Sequence, residues 1–214
     1  MQFTSERRLN DGSLEREFTL GDIPGILWTP TCLPAPLILL GHHGGAGGFR
    51  SMYPRLADRA RRCLATGFAA ATIELPGSGE RPRSADAEQA RADLHHALAA
   101  GEPVDEIVDR LVIPVVGKAV PEWQSALDAL LSLPEVRGPV GYSGGVIAIG
   151  IRLAVVEPRI VAASLFAGSF VPRSMFDEAP QVAIPLHVLL GHVPWSGVRA
   201  FACSREALRL FTMP

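Results

Sequence analysis

Little in this sequence suits it to the cell exterior, a membrane or nucleic acid. Only three of its 214 residues are cysteines. Cys32, Cys63 and Cys203 are widely spaced, odd in number and form no C-x-x-C pair. That excludes a disulfide framework and reads as free thiols in a reducing compartment. Long apolar runs are absent too. The longest are strand-sized, too short to span a bilayer, and the opening "MQFTSERRLNDGS" lacks the apolar centre of a signal peptide. The expectation is a cytoplasmic protein with no membrane partner. An excess of one charge is also missing. Lys and Arg number 20 against 22 Asp and Glu, giving a net charge of −2, and no basic stripe interleaves with aromatics. Nucleic acid is therefore not an expected partner. Arg59, Arg61 and Arg62 read as a solvated helix face. With no repeat, low-complexity tract or linker, residues 1–214 read as a single domain whose length suffices for a sizeable core.

What is present is an alternation of strand and helix signals. "LEREFTL" (14–20) alternates polar and apolar residues, and "IPGILWTP" (23–30) pairs with it as a hairpin. "APLILLGHHGGAGG" (35–48) is an apolar run ending in glycines, as a strand buried on both faces reads. A helix is predicted over 53–67, then a second buried strand that breaks into a Pro/Gly loop, "FAAATIELPGSGERP" (68–82). Helical patterns across 84–133 are interrupted at Gly101, Pro103, Pro114 and Pro121. "GPVGYS" (138–143) reads as a strand, "GGVIAIGIRLAVV" (144–156) as its helix, and "RIVAASLFAG" (159–168) and "IPLHVLLGH" (184–192) as further strands. "SREALRLF" (204–211) reads as a last helix. The fold class is α/β, a mostly parallel sheet with helices on both faces, and its site belongs at the carboxyl ends of the strands. The 44–48 loop, the 76–79 loop and Ser143 all fall there.

Within "GPVGYSGG" stands the pattern G-x-S-x-G: Gly141, Tyr142, Ser143, Gly144, Gly145. A serine on a sharp strand-to-helix turn is presented as a nucleophile, and Gly141 and Gly145 supply the room such a turn needs. The N–H of Gly144, at the helix start, would face a developing oxyanion. The alternative is that Ser143 only caps the helix. The paired histidines suggest no metal centre. His42–His43 have no carboxylate or thiol cluster to complete a ligand set, and His95–His96 point about 100° apart on a helix.

"LLGHHGGAGG", "IELPGSGERP", "GYSGG" before a helix, and "IPLHVLLGH" together resemble the α/β-hydrolase family, and in particular its compact dienelactone-hydrolase-like members. The resemblance runs over roughly residues 14–192. It implies a serine hydrolase that cleaves a carboxylic ester or related acyl bond of a small-molecule substrate without cofactor or metal. Ser143 would attack, and Gly144 and Gly45 N–H groups would hold the oxyanion. By the same resemblance the histidine of the His42–His43–Gly44–Gly45 loop and Glu74 shape their loops, and residues from about 80 to 121 form either a cap-like helical insertion or structural helices on the sheet's flank.

The C-terminal part departs from the family pattern. No Asp or Glu occurs between Glu178 and Glu206, and no His follows His192. Three explanations stand side by side. An unusual triad would run Ser143, Asp177, His192, with Glu178 as another choice of acid. A shortened C-terminal part would lack acid and base together and leave a sheet edge that a second copy could cover. A catalytically impaired relative would keep the pocket as a binding module for a small molecule or protein.

Overall fold

The computed structural model describes residues 1–166 and 170–189. Its centre is one eight-stranded sheet. The strands are β1 (Gln2–Arg8), β2 (Leu14–Leu20), β3 (Ile23–Thr29), β4 (Ala35–Gly41), β5 (Ala69–Ile73), β6 (Val136–Gly144), β7 (Ile160–Phe166) and β8 (Leu186–Leu189). They lie side by side in the order β1-β2-β3-β5-β4-β6-β7-β8. The first three and β5 pair antiparallel, and β5, β4, β6, β7 and β8 are parallel. The predicted hairpin is β2–β3, in register from Leu14↔Thr29 to Leu20↔Ile23. β1, absent from the sequence reading, adds an outer strand. Its residues are exposed on both faces apart from half-buried Phe3, so it carries no alternation to read.

The helices are α1 (Gly48–Ser51), α2 (Tyr53–Ala65), α3 (Ala85–Ala100), α4 (Asp105–Leu131), α5 (Ile147–Val156) and α6 (Ser174–Glu178). They divide the core into two layers. On one face Ile26, Trp28, Leu40 and Ala70 pack against Leu56, Ala60 and Leu64 of α2. On the other, Leu37, Leu39, Ala71 and Ile73 pack with Trp123, Leu127 and Leu130 of α4 and with α5. Each fully buried leucine contributes about 1.5–3 kcal/mol. A buried tryptophan anchors each layer. Trp28 donates its indole N–H to Glu15 Oε2 at 2.6 Å, and Trp123 meets Tyr142 edge to face at 6.0 Å.

The stretch 84–133 corrects the sequence reading in part. The break at Gly101 is present, with φ 70 at the end of α3. Pro114 and Pro121 break nothing, and α4 runs through both over 27 residues. They stand seven residues apart on an exposed side of the helix. The opposite side buries Val116, Val120, Trp123, Leu127 and Leu130, which outweighs two lost backbone bonds. α3 packs chiefly on α4. Among the described residues no helix is long and apolar enough to cross a membrane.

Candidate active site

Three loops meet at the carboxyl ends of β4, β5 and β6, and buried polar groups fasten two of them. His42, 2% exposed, donates from Nε2 to Ile73 O at 3.0 Å and accepts the Gly44 N–H on Nδ1 at 3.1 Å. Both ring nitrogens are occupied, which fixes the neutral tautomer. Burial lowers its pKa to about 4. His42 thus shapes the loop and has no free nitrogen for proton transfer. Glu74 accepts the N–H groups of Phe49 at 2.9 Å and Leu75 at 3.1 Å. Burial raises its pKa, and those two N–H bonds oppose the shift. Arg81 extends the brace, donating to Glu74 O at 2.9 Å and, through both terminal nitrogens, to Glu122 of α4 at 2.8 and 2.6 Å.

The Gly45 N–H is engaged. It donates to Ser78 Oγ at 2.9 Å, while the Gly45 carbonyl accepts from the N–H groups of Gly48 and Gly79. The 44–48 and 76–79 loops are therefore tied to each other directly.

Ser143 does not sit on the turn. It remains in β6, in register with Leu40 of β4 and Ser164 of β7. The left-handed backbone falls on the next two residues, Gly144 (φ 78) and Gly145 (φ 81). Two glycines in succession let the strand continue past the serine and reverse after it, since neither has a Cβ to oppose positive φ. A Cβ on Gly145 would stand 2.9 Å from Gly41 Cα, and one on Gly144 would stand 2.8 Å from both Arg59 Nη2 and Phe166 Cζ. Gly141 lies beneath Ile38, whose Cδ1 would come within 2.8 Å of a Cβ there. α5 begins only at Ile147, with Val146 as N-cap. Ser143 is therefore not the helix cap, and Gly144 ends the strand rather than starting the helix, which corrects that part of the sequence reading.

Strand alternation sends Tyr142 into the α4 layer and Ser143 to the α2 face. There Arg59 of α2 reaches it. Arg59 Nη1 donates to Gly41 O at 2.8 Å, and Nη2 donates to Ser143 O and to Ser143 Oγ, the latter at 3.3 Å. The guanidinium also stacks over the Phe166 ring at 5.0 Å. Burial lowers the Arg59 pKa. α2 lies over β3, β4 and β5, and beside it the same face of β6, β7 and β8 carries an open groove of about 640 Å³. Ile38, Cys63, Phe68, Ser143, Ser164 and His187 are among its lining residues.

The other expected residues are dispersed. Asp177 is exposed on α6, which packs against α5, and its backbone carbonyl accepts from Gln181. Glu178 forms an ion pair with Arg152 of α5 at 2.6 Å. Among the described residues, no hydrogen bond or ion pair joins either carboxylate to Ser143. His192 lies outside the described residues. The sequence reading missed Arg59, Ser164 and His187. Alternation could have flagged His187, because Leu186 packs toward the core and its neighbour must then face the other way. Among the described residues, no group of three His, Cys, Asp or Glu side chains is placed to hold a metal ion.

No family model and no curated protein matches this sequence. Solved structures do. A cold-adapted esterase from an Arctic intertidal metagenomic library is 25% identical, with a TM-score of 0.65, over 99% of this chain and 84% of the esterase. A dienelactone hydrolase-like promiscuous phosphotriesterase from metagenomic libraries is 20% identical, with a TM-score of 0.56, over 93% of this chain and 77% of its own. A putative dienelactone hydrolase from Klebsiella pneumoniae is 16% identical, with a TM-score of 0.58, over 88% and 75%. The parallel β4–β8 sheet, its helical layers and these neighbours show that the chain has an α/β-hydrolase-like fold.

Proposed function

We propose that this protein hydrolyses a carboxylic ester or related acyl bond of a small molecule, with the Ser143 hydroxyl attacking the carbonyl carbon. The observation that carries the reading is the position of Ser143. It is the second-last residue of a central parallel strand, half-buried, and lines an open groove. In this fold ligands bind outside the carboxyl ends of the strands. The esterase and hydrolase neighbours support the reaction class. Arg59, 3.3 Å from the hydroxyl, favours a negatively charged oxygen there. The oxyanion would be received by the Gly144 N–H and by the Gly45 N–H, which would exchange Ser78 Oγ for the substrate oxygen.

A second reading, a binding module that keeps the fold without the chemistry, has one observation in its favour. The two left-handed positions after Ser143 are both glycine, so the turn itself carries no side chain able to attack.

One experiment separates the two. The full chain is treated with a fluorophosphonate probe, weighed intact, and assayed with p-nitrophenyl acetate. A hydrolase acquires one adduct and turns over the ester, and Ser143→Ala removes the adduct and lowers turnover at least about 100-fold. A protein with neither adduct nor turnover is the binding module.

A further inference from the structure

We propose that His187 is the proton acceptor of this site and acts on Ser143 through Ser164. The proposal rests on the nucleophile reading of Ser143. Its basis is a polar row across three strands. Ser143 of β6 is the register partner of Ser164 of β7, which is in turn the partner of His187 of β8. All three line the same groove. Neighbouring strands lie about 4.8 Å apart, so partners on one face are adjacent side chains. Ser164 Oγ stands 3.4 Å from His187 Nδ1. That is long for a hydrogen bond, but catalytic bonds commonly tighten only when substrate binds.

A serine hydroxyl donates once and accepts as well. Ser164 can therefore accept the Ser143 proton while passing its own to His187 Nδ1. Arg59 closes the opposite end of the row, its Nη2 on Ser143 Oγ. Among the described residues, the charged or titratable residues that line the groove with His187 are Arg62 and Cys63 of α2 and Tyr142 of β6, whose ring turns to the α4 layer. Among the described residues no carboxylate is bonded to the imidazole, so the row differs from a triad in having no acid behind its base.

The Ser143 Oγ–carbon bond forms as the proton moves through Ser164 to His187, and the carbonyl π pair moves to oxygen. Collapse of that intermediate breaks the ester C–O bond, and the leaving alkoxide departs as an alcohol with the proton from His187. Water then attacks the acyl carbon and gives a proton to His187. The acyl–Ser143 bond breaks, and Ser143 recovers its proton through Ser164. Ester and water become acid and alcohol.

The test is the rate of fluorophosphonate labelling of the full chain from pH 5 to 9, with the adduct located by peptide mapping. It is run on wild type, His187→Gln and Ser164→Ala, with folding checked by circular dichroism. A base must be neutral to accept a proton, so wild-type labelling at Ser143 should rise with pH through an inflection. Both variants should lose that inflection and label about 100-fold more slowly at high pH. An unchanged inflection in either folded variant would overturn the proposal and leave the hydrolase reading standing. An adduct on Ser164 in place of Ser143 would also overturn it, because the row would then run in another order. No adduct on wild type would remove the nucleophile reading, and this proposal with it.

Discussion

His42 carries the clearest consequence at the scale of single residues. Its pKa of about 4 in the fold lies below the ordinary value of 6.5, so the unfolded chain binds the extra proton between those limits. Folding stability is then fully present above about pH 6.5 and declines as pH falls toward 4, by about 3 kcal/mol from this residue. Glu74, raised by burial, works in the opposite sense, which makes a comparison necessary. Urea unfolding across pH 4–7 should show a flatter profile for His42→Gln than for wild type. The residue scale is also where the sequence was read least completely. The loop-shaping part of Glu74 and of one histidine in the His42–His43 pair follows from the motifs around them, and the structure assigns it to His42. Arg59 did not, because its partners, Gly41 O and Ser143, come from two different strands. Ser143 was found but its setting was not. The motif does not say whether the serine or the residues after it carry the left-handed turn, and in the structure Gly144 and Gly145 both take it.

Elements were more legible where burial imposes a period. β4 and β5 announce themselves as apolar runs because both of their faces are covered, and α2 by its one apolar stripe. Proline does not punctuate this stretch as its propensity implies. In α4 the tertiary contact of Trp123, Leu127 and Leu130 holds the helix together across Pro114 and Pro121. Those prolines therefore remain a cost that packing offsets. Pro114→Ala, at an exposed helical position, should restore a backbone bond and raise stability by about 1–3 kcal/mol, read as a higher thermal midpoint. β1 escaped notice for the opposite reason: exposed on both sides, it needs no pattern to belong to the sheet.

For the whole molecule the decisive feature is the unequal covering of the sheet. Among the described residues α4, α5 and α6 serve one face, whereas on the other α2 stops short of β6–β8 and leaves the groove that holds Ser143. Access to the serine should thus be separable from the fold. Ala162→Trp, an exposed position in the groove, should slow fluorophosphonate labelling about 10-fold or more by filling the approach. The thermal midpoint should stay within a few degrees, since surface changes cost little stability. The same two-sided build has an optical consequence. Trp28 lies in the α2 layer with its N–H on a carboxylate, and Trp123 lies in the α4 layer against a tyrosine ring. With Trp195 replaced by phenylalanine, each side of the sheet keeps one indole as its own fluorescent reporter. Loosening of one layer before the other would then appear as two separate emission changes, and simultaneous loss of both as one.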